Sequence, residues 1–335
     1  MARFRVFRNW HRLRMFLASL TLLTVFLSGL PAAPLAYAQT YSFERTWGAV
    51  NNDYGYGVAV DGSGNNIYVA GYKTEGDAGA EDVLLLKYNS VGTLQWKKTW
   101  GGTEGDYGYG VAVDGLGNIY VTGYTYSYGA GYEDVVLLKF DSSGVLLWEK
   151  TWGGIREEKG HGVAVDGLGN IYVTGHTLSF IDGNPQVVLL KFVSSGVLLW
   201  EKTWGGNGID YGYAVAVDSS SGNIYVTGIT NSLGAGLKDF VLLKFNPSGG
   251  LVWQKTWGGN GDDDGNGVAV DGSGNIYVAG GTYGLGAGSN DVVLLKFNSS
   301  GGLVWQRTWG RTDDDYGYGV AIDSSSGNIY VIGTT

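Results

Sequence analysis

The chain has 335 residues and is acidic, with 31 Asp and Glu against 22 Lys and Arg and a formal net charge of −9 at pH 7. This charge argues against nucleic acid or anionic lipid as a partner. The absence of cysteine excludes disulfides, thiolate metal sites, a lipobox and a cysteine nucleophile.

The N-terminal segment has the order of a secretory signal peptide. Five arginines precede the apolar run 15–30, Pro31 and the small residues 36–38. We expect cleavage after Ala38, so that residues 1–38 are the signal peptide and the mature chain is secreted, held at the cell surface or periplasmic. An uncleaved anchor is the alternative, but the run is short for a bilayer span of about 20 residues. We expect no membrane span once the signal is removed.

The rest of the chain, 39–335, repeats one unit with a period of about 52 residues. The copies begin at Trp47, Trp100, Trp152, Trp204, Trp257 and Trp309. Each copy has four stretches rich in β-branched and aromatic residues, bounded by turn-forming residues, as is typical of short strands. In the second copy these stretches are Val111 to Asp114, Asn118 to Thr122, Asp134 to Phe140 and Leu146 to Trp152.

Four short strands joined by tight turns and repeated every 50 residues or so are typical of a β-propeller blade. A β-solenoid is the competing fold, but its repeats are usually shorter and parallel. No stretch of the mature chain shows the 3.6-residue apolar period of a helix. We therefore predict an all-β propeller of four-stranded antiparallel blades, with five complete blades and a partial sixth.

The repeat resembles a known bacterial family, the SBBP repeat, named for the seven-bladed β-propeller. The resemblance covers 46–335 and rests on three motifs of the second copy, Asp-Tyr-Gly-Tyr-Gly-Val-Ala-Val-Asp (106–114), Gly-Asn-Ile-Tyr-Val-Thr-Gly (117–123) and Asp-Val-Val-Leu-Leu-Lys-Phe (134–140). It implies a propeller of an exported or surface-exposed bacterial protein. It implies no particular activity, because the family resembles a set of modules without a shared reaction.

The N-terminal and C-terminal ends of the repeat array do not together supply the four strands of one complete blade. Residues 41–47 align with the fourth strand of a blade and are a candidate closing strand, yet the sixth copy contains two predicted strands before Thr335. We expect a chain truncated relative to its gene; a natural six-bladed ring with one thin blade is the alternative. An open ring would expose apolar strand edges that favour association.

Candidate ligand-binding residues lie on the face that carries the longer loops, where binding usually occurs. Every copy places an acid five residues before the first valine, and aromatic residues follow it in four of the six copies, with a histidine in the third. The candidates are Asp53, Tyr56, Asp106, Tyr107, Tyr109, Glu158, His161, Asp210, Tyr213, Asp263, Asp315 and Tyr318. They would form a ring of carboxylates and phenols able to hold a sugar or a cation; alternatively, the acids cap the loop and the tyrosines pack between blades.

Other polar positions have simpler interpretations. The aspartate that ends each first strand, such as Asp114, precedes a glycine-rich turn and is expected to cap its backbone amides. The segment 141–148 resembles the tryptophan-docking motif of quinoprotein propellers. Asp262, Asp264 and Asp271, after Asn260, weakly resemble a calcium loop, but the spacing ends in Asp rather than Glu; no metal or other cofactor is predicted.

The third copy departs most from the others and carries His161 and His176. If the protein is an enzyme, these histidines with Glu158 or Asp182 are the expected acid–base groups; ordinary divergence of one repeat is the alternative. We predict a non-catalytic binding or scaffold module with an unknown extracellular ligand, a glycan or a protein. A propeller enzyme, either a metal-dependent hydrolase or lyase or a quinoprotein-like oxidoreductase, and a purely structural adhesive array remain open.

Overall fold

The computed structural model describes residues 13–16, 44–48, 53–74, 80–180, 183–323 and 325–334. These residues form strands, turns and bends without any helix. Consequently, no helix in the described part of the chain is able to span a membrane.

The strands repeat in sets of four, one set per blade. First strands are β3 (Asp53–Val60), β7 (Asp106–Val113), β11 (Glu158–Val165), β15 (Asp210–Val217), β19 (Asp263–Val270) and β23 (Tyr316–Ile322). Second strands are β4 (Asn66–Thr74), β8 (Ile119–Thr125), β12 (Ile171–Thr177), β16 (Ile224–Thr230), β20 (Ile276–Tyr283) and β24 (Ile329–Thr334). Third strands are β5 (Glu81–Asn89), β9 (Asp134–Phe140), β13 (Gln186–Phe192), β17 (Asp239–Phe245) and β21 (Asn290–Phe297). Fourth strands are β6 (Leu94–Trp100), β10 (Leu146–Trp152), β14 (Leu198–Trp204), β18 (Leu251–Trp257) and β22 (Leu303–Trp309).

Blades one to five are antiparallel sheets in which the four strands lie in chain order. In the described residues blade six has two strands, β23 and β24, which pair antiparallel. The predicted architecture of five complete blades and a partial sixth is confirmed. Truncation of the chain stays a prediction.

Two short N-terminal strands lie apart from the blade sheets. β1 (Leu13–Phe16) pairs antiparallel with β2 (Glu44–Trp47). The remainder of the predicted signal peptide and residues 41–43 of the candidate closing strand lie outside the described residues. Trp47 packs against the buried cluster of blade one that includes Val69 and Leu84, which is how tryptophans of fourth strands pack on the following blade.

Each first strand starts earlier than the sequence predicted and contains a β-bulge. In blade two the strand begins at Asp106 rather than Val111, and the register shifts between Gly108 and Gly110, so Tyr109 is the bulged residue. Gly123 lies opposite Gly108, and a Cβ there would overlap the carbonyl oxygen of Tyr107. The glycines that looked like loop residues therefore belong to the strand and permit the bulge. The bulge turns the side chain of Tyr109 out of the regular alternation of side chains between the two faces of the sheet.

The blades meet at repeated seams that hold most of the core. In the seam between blades one and two, Val83 and Leu85 of β5 share a cluster with Val111 of β7 and Leu138 of β9. The fourth-strand tryptophans close the seam at the outer rim: the indole N–H of Trp152 donates to Glu201 of blade three (2.8 Å). The resemblance of 141–148 to the tryptophan-docking motif implies that its tryptophan stacks against a neighbouring blade. Trp148 does so: it packs over Gly196 of the next blade and donates to the carbonyl of Ser194 at 3.3 Å.

Candidate functional site

The six repeated acids are buried, and five of them (Asp106, Glu158, Asp210, Asp263 and Asp315) accept a hydrogen bond from a backbone amide of the loop that precedes them. In blade three, Glu158 accepts hydrogen bonds from the Gly154 amide (2.6 Å), the Thr177 hydroxyl (3.0 Å) and the Ser179 hydroxyl (2.6 Å). Asp106 and Asp210 accept equivalent bonds from the second strand and the loop. The set Asp53, Asp106, Glu158, Asp210, Asp263 and Asp315 is buried throughout. We therefore reassign these acids from the ligand surface to the alternative role of fixing the loop.

The turn aspartates cap backbone amides as expected. Asp114 accepts from the amides of Leu116 (2.9 Å) and Asn118 (2.8 Å) and from the hydroxyl of Tyr120 (3.0 Å). Burial acts to raise the pKa of Asp114, but the hydrogen bonds from Asn118 and Tyr120 lower it below its usual value. Equivalent bonds surround the other five turn aspartates.

The calcium interpretation does not agree with the structure. Asp271 caps the turn after β19, accepting from the amide of Ser273 at 2.9 Å. Asp262 precedes the same strand at its other end, and eight extended residues span roughly 26 Å. The three carboxylates of Asp262, Asp264 and Asp271 therefore do not meet. Within the described residues, no group of three or more His, Asp or Glu side chains is arranged to hold a metal ion.

Five of the six predicted aromatic or histidine residues come together, and they are part of a continuous aromatic belt across blades one to four. Its members are Tyr54, Tyr56, Tyr72, Tyr107, Tyr109, Tyr124, His161, His176, Tyr211 and Tyr213. Ring centroids of neighbouring blades approach to 4.6 Å between Tyr56 and Tyr109 and to 5.6 Å between Tyr109 and His161. The bulged positions Tyr56, Tyr109, His161 and Tyr213 connect the blades. Tyr318 has the same bulged position in blade six and stacks on Tyr316.

Five belt members were not among the candidate ligand-binding residues: Tyr54, Tyr72, Tyr124, His176 and Tyr211. Of these, Tyr72, Tyr124 and His176 lie on the second strands, directly across from Tyr54, Tyr107 and Lys159. These second-strand residues were predictable from the sequence. If the first strand is extended back through its glycines, they lie opposite it in the antiparallel pair. In blade five the belt is interrupted, since Asp264, Asn266 and Gly281 occupy the equivalent positions.

Blade three adds a charged cluster to the belt. Lys159 bridges Glu133 (3.0 Å) and Glu157 (3.1 Å), and its ammonium lies 4.6 Å from the ring centroid of Tyr124. Glu157 also contacts His176 Nε2 at 3.1 Å, and His176 Nδ1 lies 3.1 Å from His161 Nε2. Glu157, His176 and His161 thus form a hydrogen-bonded line. The expected partner Glu158 caps its loop instead, and Asp182 lies outside the described residues.

Burial keeps His161, Tyr107 and Tyr124 of the belt uncharged at pH 7, whereas Glu157 beside them is ionised. The hydrogen bond from His176, with Lys159, lowers the pKa of Glu157 to about 2. Burial, with the nearby His176 and Lys159, lowers the pKa of His161 to about 3. Burial and Glu81 raise the pKa of Tyr107 to about 12, and burial likewise raises the pKa of Tyr124. The phenols are therefore protonated and His161 is an uncharged imidazole.

Comparison with known proteins agrees with the β-propeller fold. The family model for the SBBP beta-propeller repeat matches residues 95–129, 159–180 and 256–286. The chain carries SBBP-type β-propeller repeats. The name's seven blades have no counterpart in the described residues, which form five four-stranded sheets and the pair β23–β24.

A curated relative and a solved structure are also similar. The regulatory protein FlaEY of Caulobacter vibrioides is 28% identical over 119 residues, which cover 32% of this chain and 12% of FlaEY. The aligned part is thus a small fraction of that protein. A gluconolactonase from Xanthomonas campestris superposes with a TM-score of 0.50 at 14% identity over 84% of each chain. At this identity the likeness concerns the fold alone.

Proposed function

We propose that this protein is an exported, non-catalytic binding module that holds a neutral, polyhydroxylated ligand such as a glycan against its aromatic belt. The observation that carries the proposal is the belt itself, which joins four blades through their bulged residues. Aromatic side chains offer an apolar ring surface together with a hydroxyl that donates and accepts hydrogen bonds.

The charge state of the belt supports a neutral ligand over an ionic one. The six repeated carboxylates that were candidate ligands are buried beneath the loops. Lys159 is already held between two carboxylates, so it offers little unsatisfied charge to an anion. The most exposed ring of the belt is Tyr56, 51% exposed, whose pKa is raised by the partial burial of its phenol, so the hydroxyl is protonated at neutral pH.

The test uses two exposed or partly exposed belt residues, Tyr56 and Tyr109, each replaced by alanine. Tyr107 is less suitable, because its ring packs between Tyr72 and Tyr124 at 4.7 and 4.6 Å and its loss would disturb the fold. An array of neutral oligosaccharides identifies the probe, and calorimetry then measures its affinity. We expect Tyr56→Ala and Tyr109→Ala to weaken binding at least about tenfold, whereas Tyr132→Ala, an exposed residue outside the belt, leaves it unchanged. Wild-type affinity in both belt variants, or an array without any binder, would contradict the proposal.

Export is tested separately. We expect the protein recovered from the periplasm or medium of a bacterial host to begin at Gln39 when its N-terminus is sequenced. Recovery of the unprocessed chain from the membrane fraction would instead support the uncleaved anchor.

A hydrolase is the second candidate, favoured by the line Glu157–His176–His161. A carboxylate that orients one histidine, which in turn orients another group, is the arrangement used to position a general base. The low pKa of His161, about 3, opposes this function, because such an imidazole takes up a proton poorly at neutral pH. Hydrolysis of a panel of esters and lactones that is lost in His161→Gln but retained in Tyr132→Ala would move the hydrolase to first place.

A further inference from the structure

The interruption of the aromatic belt in blade five leaves a gap between rings. Where blade two carries Tyr107, Tyr109 and Tyr124, blade five carries Asp264, Asn266 and Gly281. Three rings are thus replaced by two short polar side chains and a glycine. We call the gap lined by Asp264, Asn266 and Gly281 the blade-five notch. It lies inside the blade array, because blades four and six flank it.

Aromatic rings lie on both sides of the blade-five notch. A Cβ at Gly281 would lie 3.1 Å from the ring of Tyr316 in blade six, so this ring packs directly over the glycine. Burial raises the pKa of Tyr213 in blade four, and the charge of Asp264 adds to the rise. Burial, Asp314 and then Asp264 raise the pKa of Tyr316. Asp264 therefore lies within electrostatic reach of a ring on either side.

The polar groups of the notch have unused hydrogen-bonding capacity. Asp264 is part-buried, and burial raises its pKa, yet it accepts no hydrogen bond from any described residue. Its neighbour Asp263, by contrast, accepts from the amide of Gly259 at 2.8 Å. The Nδ2 of Asn266 donates to the carbonyl of Gly317 at 2.9 Å, which fixes the side chain and leaves its Oδ1 as an acceptor.

The two acceptors lie at positions whose side chains share one side of the strand. In blade four these positions hold Tyr211 and Tyr213, whose ring centroids are 6.1 Å apart. Asp264 and Asn266 have the same two positions in blade five, the second of them at the bulge. Their oxygens are therefore available to neighbouring donors of one ligand.

Blade three shows how the same position looks when the chain itself satisfies it. Lys159 occupies the position of Asp264 and is held between two carboxylates at 3.0 and 3.1 Å. In blade five the nearby cation is Lys238, which lies 3.9 Å from Asp262. Lys238 lowers the pKa of Asp264 through its charge, without a hydrogen bond. The carboxylate of Asp264 thus has a partner at a distance but no donor in contact.

We propose that the blade-five notch is the subsite that determines ligand specificity, receiving one sugar ring whose neighbouring free hydroxyls donate to Asp264 and to the Oδ1 of Asn266. This inference rests on the proposed function and names the part of the glycan that is selected. Tyr213 and Tyr316 supply ring surfaces beside the sugar. A ring without free hydroxyls would bury the carboxylate of Asp264 without a donor, and this cost excludes it.

The test compares two replacements of Asp264 in the full chain. Asp264→Ala removes the acceptor, and Asp264→Tyr fills the notch with the residue that four other blades carry at this position, such as Tyr211. The probe is the neutral oligosaccharide that binds best on the array, and calorimetry measures its affinity. We expect both variants to weaken binding at least about tenfold. Asp313→Ala, which removes an exposed acid of a neighbouring loop, should bind like the wild type.

A second series of probes identifies the hydroxyls that Asp264 reads. Each probe is the same oligosaccharide with two adjacent hydroxyls of one ring converted to O-methyl groups. We expect the wild type to bind one member of the series at least about tenfold more weakly than the parent. Asp264→Ala should bind that member and the parent equally, because the acceptor that distinguishes them is gone.

Thermal unfolding without ligand separates a binding role from a structural one. Asp264→Ala should melt no lower than the wild type, because it removes a carboxylate that no described donor satisfies. A clearly lower melting temperature would overturn the proposal by making Asp264 a structural group.

The outcomes distinguish this inference from the proposed function. Wild-type affinity in both Asp264 variants, with binding weakened by Tyr56→Ala and Tyr109→Ala, would overturn the notch and leave the belt as the binding surface. Weakened binding in the Asp264 variants alone would support the notch and contradict the belt. An array without any binder would overturn both.

Discussion

In four of the six copies, the glycine after the first tryptophan of the repeat occupies a point where two carboxylates converge; these glycines are Gly101, Gly153, Gly258 and Gly310. A Cβ at Gly153 would overlap Asp134 Oδ1 and lie 2.8 Å from Glu158 Oε2. Those carboxylates come from blade two and blade three, so this small residue lets the seam close. The Trp-Gly pair of the repeat therefore reflects packing between blades rather than a flexible loop.

We expect Gly153→Ala to destabilise the protein by about 1–3 kcal/mol, because the added methyl group must displace backbone or a hydrogen-bonded carboxylate. Gly167→Ala is the matched control in the same blade, since a Cβ there meets nothing within 4 Å. Urea unfolding followed by tryptophan fluorescence compares the two variants. Equal midpoints for Gly153→Ala and Gly167→Ala would show that the seam tolerates the extra atom.

Local chemistry explains which residue roles were predictable from the sequence. Asp114 was correctly predicted as a turn cap, because its partners Leu116 and Asn118 lie within four residues. The role of Asp106 depends on Thr125 and Ser127, which come from the far end of the next strand. Spacing alone did not distinguish that contact from a ligand site.

Among the elements, third and fourth strands were predicted to the residue, while first and second strands were too short. Asp134–Phe140 and Leu146–Trp152 have continuous β-forming residues and no internal glycine. The first and second strands of blade two continue through Gly108 and Gly123, which sequence reasoning treats as strand ends. The longer first and second strands bring the rings of the aromatic belt together. Part of the candidate site was therefore missed because these strands were predicted too short.

The seam between blades four and five carries a pair of buried carboxylates that makes stability depend on pH. A Cβ at Gly258 would lie 2.5 Å from Asp239 Oδ1 and 2.5 Å from Asp263 Oδ2. Burial, with the charge of Asp263, raises the pKa of Asp239, and burial also raises the pKa of Asp263. Blade three has Gln186 at this position, and its amide donates to the carbonyl of Gly206 at 2.9 Å.

We expect the melting temperature to rise as the pH falls from 7 towards about 4. An acid whose pKa is higher in the folded state takes up its proton there first, so the folded state gains stability through that window. The turn aspartates act below it: their pKa values are lowered, so the stability they contribute is present above the usual pKa and is lost as the pH falls further.

Asp239→Asn tests this assignment and should flatten the rise in melting temperature between pH 7 and 4. Gln186→Glu is the reciprocal variant, which places a second carboxylate beside Asp210 and should make the rise steeper. Scanning calorimetry at several pH values measures both. If the melting temperatures of the wild type and both variants changed in parallel with pH, the carboxylates of the seam would not be the groups responsible for the pH dependence.

In a molecule of repeated blades, the free energy of unfolding is approximately a sum of contributions from the blades and from the seams between them. Local stability therefore varies along the chain with the number of seams that cover each strand. The second and third strands of blades two and three are buried along their full length. β24 is buried at no position, although it has nearly the same sequence as β8. The difference between β8 and β24 therefore comes from their neighbours rather than from local sequence: among the described residues β24 pairs with β23, whereas β8 pairs with β7 and β9.

Hydrogen exchange at low protein concentration should reveal this gradient. We expect backbone amides of β24 to exchange at least about tenfold faster than the equivalent amides of β8, because β24 is part-exposed and pairs with one strand among the described residues, while β8 is buried and pairs with two. The near-identity of the two strands makes β8 an internal control for intrinsic exchange rates. Equal protection of β24 and β8 would contradict the expected gradient.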